Sequence, residues 1–440
     1  MKKKLILVSL DALSSTEFAY VRKLPNFKKI IENGAYCSHE MSVYPTLTFP
    51  CHASIATGCV PNHHRIVNNY VFLPFEKKRR WNSYASAIKC KAIWDYANES
   101  GKKILNMSWP VSGGADITYS MPEVFPIKKR EWNAGCFLQQ MEAFVRYGTP
   151  VFSIPAFLST PGLPKAWVLG KEPALDFGMI RAFLREIKKR DFDIAMLHIY
   201  GLDDAKHTYG TKDAKCRAYL RKYDEFVGDL IQYCEECKDE NVTLMVTGDH
   251  SQLDASWAVY GNMLLEKEGL CRYENGLLKS YQAYLDSGDG MAYIYLADDV
   301  KDREALTAKI RGLFENNRAV KRILTGAEAG MLGCDEKAAL VLEANDTYSF
   351  ESEYEPEAWK DSDCILESHY KGLHGYDPEH PDYQTMFFCY GKDVAAMEIL
   401  SMCITDILPT ACQWLGIPID PVDGTAHPEI WNNRDRLKVF

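Results

Sequence analysis

Short apolar runs, each closed by a polar residue, recur along this chain. "LILVSL" (Leu5–Leu10) runs into Asp11, "DIAMLHIYGL" into Asp203, and "VTLMVTG" into Asp249. Runs of this length without alternation read as strands buried on both faces. Between the last two lies "TKDAKCRAYLRKYDEFVGDLIQYCEECKDE", where Leu220, Tyr223, Phe226, Val227, Leu230, Ile231 and Cys234 fall at helical spacing. Strand, helix, strand predicts a right-handed crossover, and so an α/β fold with a largely parallel sheet and helices on both faces. Ligands gather beyond the carboxyl ends of such strands. All three aspartates are placed there by the pattern.

Two stretches interrupt it. Residues from about 121 to 184 are rich in Pro, Gly and aromatics and lack clear periodicity. From about 265 to 367 the pattern is compact and mixed: "GMAYIYL" and "AALVLEA" read as strands, and "DREALTAKIRGLFENN" as a helix with Asp302 near its start. The first is read as a variable insertion and the second as an inserted α+β cap, within one catalytic domain spanning 1–440. No internal repeat or low-complexity linker divides the chain.

Composition narrows the function classes. An apolar share of 47% with 25% charged residues over 440 positions supports a sizeable core. The net charge of −9 argues against a nucleic-acid polymer as partner, because no basic excess supplies phosphate contacts. A small phosphate ester stays open, since a metal site can neutralise it locally. The N-terminal "MKKKLILVSLDA" is too short in its apolar run for a signal peptide and reads as a first strand. No stretch approaches a membrane span. A cytoplasmic location with 14 reduced cysteines is therefore expected.

The candidate chemistry lies in Asp and His. "GLDDAKH" sets His207 four residues after Asp203, on one side of a turn or helix. "TGDHS" joins Asp249 to His250 at a strand end, and "GLHGYD" puts His374 in a glycine-flanked loop. With Asp11, these mixed imidazole and carboxylate donors suit Zn²⁺, and two sets suit a dinuclear centre. Such a centre needs a nucleophile. In "YPTLTFPCHAS", Thr46 and Thr48 are both candidates, because a metal lowers a hydroxyl pKa and a following helix offers N–H groups to a phosphoryl oxygen. Spacing alone does not separate the two threonines. The remaining histidines (His63, His64, His198, His369, His380, His427) read as turn, strand or loop residues. Cys234 and Cys237 read as helix packing rather than half a zinc site.

The stretches "LVSLDA", "VYPTLTFPCHASIATGCVPNHHRIVNN", "GLDDAKHTYG", "TGDHS" and "LHGYDPEHPD" together resemble the nucleotide pyrophosphatase/phosphodiesterases of the alkaline phosphatase superfamily. The resemblance runs from the N-terminus to about residue 415 and implies an alkaline phosphatase-like fold. It implies that Thr48, directly before Phe-Pro, is the nucleophile and Thr46 its structural neighbour. It places Asp203, His207 and His374 on one Zn²⁺, and Asp11, Asp249, His250 and Thr48 on the other, with other divalent ions possible. It assigns Asn69, with the amide after Thr48, to an equatorial phosphoryl oxygen, Phe49 to the flank of a nucleoside, and Trp109 to the substrate cleft. The implied reaction is hydrolysis of a small, nucleotide-like phosphate diester through a phosphothreonine ester; the lack of a spanning apolar stretch leaves no membrane partner expected.

Three residues depart from the family pattern: Cys51 stands for Asn, Ser251 for Gly, and Asn68 for Asp. None removes a ligand or the nucleophile, but Cys51 bears on substrate preference. A sulfatase is excluded, because Cys51 is not followed by x-Pro-x-Arg. A phosphomonoesterase or phosphonate hydrolase shares the same two-metal chemistry. An inactive metal-binding protein is the reading from a different class, and the intact nucleophile and ligands speak against it.

Overall fold

The computed structural model describes residues 1–124 and 132–431. An eight-stranded sheet forms its centre, in the order Met397–Glu398, Ala35–Glu40, Thr385–Tyr390, Glu240–Thr247, Lys2–Leu10, Ile194–Ile199, Ile104–Met107 and Tyr119–Met121. Every neighbouring pair is parallel except those made by Thr385–Tyr390, which runs against both of its neighbours. The strand after "KKK" is buried from Lys4 onward, as a strand covered on both faces must be.

The alternation of side chains sorts the sheet into two cores. One face carries Ile6, Val8, Ala195 and Leu197 against Phe27, Leu220, Tyr223 and Phe226. The helix Ala214–Glu236 contributes the stripe read from the sequence, and all seven of its named residues are buried. The other face carries Leu5, Leu7, Ile194 and Met196 against Cys51, Ile55, Ile407 and Leu408. Helices therefore flank the sheet on both sides.

The segment 121–184 is more regular than its composition suggests. Its described part contains the helices Ala134–Tyr147, Pro150–Leu158, Leu163–Leu169 and the start of Ala174–Lys189. Phe144, Phe152, Phe157 and Trp167 from these helices join the first core. Periodicity failed there because the helices are short, and Pro150, Pro155 and Gly162 break the pattern. Residues 125–131 of that insertion lie outside the described residues.

The second stretch packs into a separate core that extends beyond it on both sides, from Ala255 to Tyr383. A four-stranded antiparallel sheet orders Ala283–Gly288, Met291–Leu296, Leu340–Ala344 and Val320–Thr325. The helix Arg303–Glu315 is capped by Asp302, whose carboxylate accepts from the Ala305 N–H at 2.9 Å. Met291, Tyr293 and Val341 pack against Tyr44, which brings this subdomain onto the loop before Thr48. No helix among the described residues is long and apolar enough to cross a membrane.

Candidate active site

Thr48 is the first residue of the helix Thr48–Thr57, so it belongs to the helix rather than preceding it. Leu47 is extended immediately before it, and Gly58 ends the helix with φ +68°. All ten helical residues are buried. This pins the N-terminus, and Thr48 is 8% exposed. Thr46 is fully buried and donates its hydroxyl to Tyr376 O at 2.7 Å. That bond makes Thr46 a structural residue and leaves Thr48 as the available hydroxyl.

Three oxygens converge on one ring nitrogen. His250 Nε2 lies 3.2 Å from Thr48 Oγ1, 3.2 Å from Asp249 Oδ2 and 3.4 Å from Asp11 Oδ1. A tetrahedral ion with bonds of about 2.0–2.1 Å separates its ligand atoms by about 3.3 Å. The measured spacings match that edge. Asp11 Oδ1 and Asp249 Oδ2 are buried and have no hydrogen-bond partner among the described residues, as atoms reserved for a cation would be. Asp11, Asp249 and His250 form one compact donor group, and Asp203, His250 and His374 form a second.

The second group differs from the implied ligand set in one place. His250 stands beside Asp203 and His374, while His207 is outside the compact group. His207 adjoins it nonetheless: Nε2 is 3.1 Å from Asp203 Oδ2, Nδ1 is 2.7 Å from Gly372 O, and the ring lies 5.1 Å from that of His374. Asp203 is not at a strand end. The strand stops at Ile199, and Asp203 lies in the first turn of the helix Gly201–Tyr209. Helical geometry is what brings Asp203 and His207 to the same side.

Electrostatics sharpen the case for a cation. Burial, with Asp203 nearby, pushes the Asp11 carboxyl up to about 7. Burial and Asp11 push Asp249 well above the carboxylate range. Burial holds His250 and His374 below the ordinary histidine value. His207 goes the other way: burial opposes its charge, yet Asp203 holds it up at about 9. Carboxylates crowded in a dry site cannot all ionise without a positive partner, and a divalent ion supplies one.

Several implied roles change in the structure. The Phe49 N–H donates to Asn69 Oδ1 at 2.9 Å. The amide after Thr48 is therefore committed to Asn69 rather than open to a phosphoryl oxygen. Phe49 is only 3% exposed, because Trp81 stacks on it at 5.1 Å and 23°. Tyr70 lies 4.4 Å from Trp81, and the Arg79 guanidinium sits 4.1 Å over Tyr70. Trp81, 38% exposed, is the aromatic open to solvent here. Trp109 has no place in a cleft. It is fully buried, donates its indole N–H to His52 O at 3.4 Å, and meets that ring edge-on. Cys51 faces the core, 3.3 Å from Ser42 Oγ, and burial holds its thiol protonated.

One histidine read as an ordinary strand residue belongs to the site's support. His198 Nε2 lies 3.1 Å from Asp11 Oδ2 and Nδ1 lies 2.8 Å from Glu123 Oε2. Burial opposes its charge, but Glu123 and Asp11 outweigh it and raise its pKa well above the ordinary value. A polar residue inside an apolar strand five positions before Asp203 was the available signal. His52 was equally silent in the sequence. Its Nδ1 is 2.7 Å from Thr48 O and its Nε2 2.9 Å from Ser9 Oγ, so it ties the first turn of the Thr48–Thr57 helix to the first strand.

Known proteins resemble this chain in sequence and in fold. Human ectonucleotide pyrophosphatase/phosphodiesterase family member 5 is 22% identical across 99% of this chain and 78% of its own length. Human bis(5'-adenosyl)-triphosphatase ENPP4 is 23% identical across 96% of the chain and 80% of its own length. Among solved structures, an inactive form of murine family member 5 in complex with AMP aligns with a TM-score of 0.65 at 18% identity, covering 98% of this chain and all of that one. The profile of the type I phosphodiesterase/nucleotide pyrophosphatase family matches residues 5–377, a span that includes Asp11, Thr48, Asp203, Asp249, His250 and His374, and the chain belongs to that family.

Proposed function

We propose that this protein is a metal-dependent phosphodiesterase that hydrolyses small, nucleotide-like phosphate diesters with Thr48 as nucleophile. The observation that carries the reading is the convergence of Thr48 Oγ1, Asp11 Oδ1 and Asp249 Oδ2 on His250 Nε2 at 3.2–3.4 Å. Asp11, Asp249, His250 and Thr48 would hold one ion, and Asp203, His374 and the adjoining His207 a second. Their mixed nitrogen and oxygen donors suit Zn²⁺. Bound there, the ions supply Lewis-acid charge that lowers the Thr48 hydroxyl pKa and offsets charge on the attacking and leaving oxygens.

The chain's own residues do the rest. The buried helix fixes Thr48 Oγ1, so orientation is set before substrate arrives. Thr48 forms the new bond to phosphorus as the leaving alcohol or nucleotide departs. Water then cleaves the phosphothreonine ester and restores the hydroxyl. Two inversions leave phosphorus with net retention. Asn69 accepts from the Phe49 N–H through Oδ1, which turns its NH₂ into the donor available to a phosphoryl oxygen.

AMP bound to the murine relative and the bis(5'-adenosyl)-triphosphatase activity for which human ENPP4 is named support a nucleotide-like substrate. The test is hydrolysis of p-nitrophenyl thymidine monophosphate beside p-nitrophenyl phosphate, with zinc and after chelation. A zinc-dependent preference for the diester is expected. Thr48→Ala is expected to keep its metal and bind AMP while losing turnover by at least about 10³-fold, the scale of removing a covalent nucleophile. Activity within tenfold of wild type would give the nucleophile's role to another group. A preference for the monoester would move the function to a phosphatase.

A further inference from the structure

Directly beneath the site, His198 and Glu123 continue a buried chain of polar groups from Asp11 and belong to neither donor group themselves. His198 is the next-to-last residue of the Ile194–Ile199 strand, in register with Ser9 of the first strand. Its imidazole lies between two carboxylates. Nε2 is 3.1 Å from Asp11 Oδ2, and Nδ1 is 2.8 Å from Glu123 Oε2 and 3.2 Å from Ser108 O. His198, Asp11 and Glu123 are all buried. The carbonyl oxygen of Ser108 only accepts, so Nδ1 carries a proton, and Nε2 is the atom left to bond Asp11 Oδ2.

This arrangement tells the two oxygens of Asp11 apart. Oδ2 is committed to His198. Oδ1 has no hydrogen-bond partner among the described residues and lies 3.4 Å from His250 Nε2. Carboxylate torsions are broad and roughly two-fold, so an aspartate at a strand end does not by itself present one oxygen in one direction. A partner on one oxygen removes that freedom. The same imidazole lies 4.3 Å from the His52 ring, whose Nδ1 is 2.7 Å from Thr48 O. It therefore braces the nucleophile's turn as well as the ligand.

We propose that Glu123 and His198 form a positioning pair for the metal centre, holding Asp11 Oδ2 so that Oδ1 alone is delivered to the ion shared with Asp249, His250 and Thr48. The inference rests on the metal-centre reading above. Glu123 fixes the imidazole, the imidazole fixes the carboxylate, and the carboxylate sets the ion. Groups that orient metal ligands in this way are worth about 10–100-fold in affinity.

The test is a zinc titration of chelated full-length protein, with zinc alone as the probe and the melting temperature of the chelated form as the folding control. Wild type is expected to take up two equivalents. His198→Leu is expected to bind one of them about 10–100-fold more weakly and leave the other unchanged. His198→Gln should recover part of the loss, because its amide N–H can still reach Asp11. Glu123→Ala should lose about tenfold. A purely structural role would shift the melting temperature without separating the two zinc affinities. If His198→Leu does not fold, Glu123→Ala carries the decision. Folded variants with wild-type affinity for both equivalents overturn the inference. Wild type that binds two equivalents but hydrolyses no ester fails the functional reading alone. Fewer than two equivalents on wild type overturns both.

Discussion

Replacing Gly375 by alanine tests whether the turn between Ala283–Gly288 and Met291–Leu296 holds His374, a proposed metal ligand, in place. Gly375 has φ +85°, and a Cβ built on it overlaps the carbonyl oxygen of Gly288 and lies 3.0 Å from Gly290 N. Both are backbone atoms of the turn between Ala283–Gly288 and Met291–Leu296, so no rotamer change relieves the overlap. The loop is tied on both sides. Gly290 N–H donates to His374 O at 2.8 Å, and Gly375 N–H donates to Thr46 O at 2.9 Å. Left-handed backbone costs an alanine about 1–2 kcal/mol, and an overpacked contact costs about 1–3 kcal/mol more. Gly416 supplies the control: its φ is +70° and a Cβ there meets nothing within 4 Å, so Gly416→Ala bears only the backbone cost. Urea melts of the chelated proteins should therefore show Gly375→Ala destabilised by about 2–5 kcal/mol and Gly416→Ala by about 1–2 kcal/mol. A zinc titration should show one equivalent weakened in Gly375→Ala and neither in Gly416→Ala. Equal destabilisation of the two variants, with zinc binding intact in both, would refute the argument that the turn pins the ligand loop.

Two further outcomes follow from the site. Chelation should lower the melting temperature, because crowded buried carboxylates lose their counter-charge. Zinc at 100 times its dissociation constant should restore about 2.7 kcal/mol per site, and a melt indifferent to zinc would rule out the centre. Trp81→Ala should uncover Phe49 and lower KM for p-nitrophenyl thymidine monophosphate by up to about tenfold, since a ring contact is worth about 0.5–1.5 kcal/mol. KM for methyl p-nitrophenyl phosphate should stay put. A rise in KM for the thymidine ester would show Trp81 to be the substrate's own platform.

The sequence by itself carried the sheet, the long helix and the Asp and His residues that cluster at the candidate site. Runs such as "LILVSL" and "VTLMVTG" are local signals, because a strand covered on both faces must be apolar throughout. The ends of those runs placed Asp11 and Asp249, and the four-residue spacing placed His207 beside Asp203. The preference for Thr48 over Thr46 came from resemblance, and what only the fold shows is that the Thr46 hydroxyl is bonded to Tyr376 O, more than 300 residues away in the chain. Other decisions were tertiary as well. Phe49 and Trp109 carry the same aromatic signal whether they line a cleft or a core, and Trp81 and His52 decide which by covering them. His198 lies in an apolar strand, and its meaning depends on Asp11, 187 positions away, and Glu123, 75 positions away. Periodicity records which face of an element is buried, because burial repeats with the backbone. It does not record which polar groups meet there, because a hydrogen bond between distant segments leaves no period in either one.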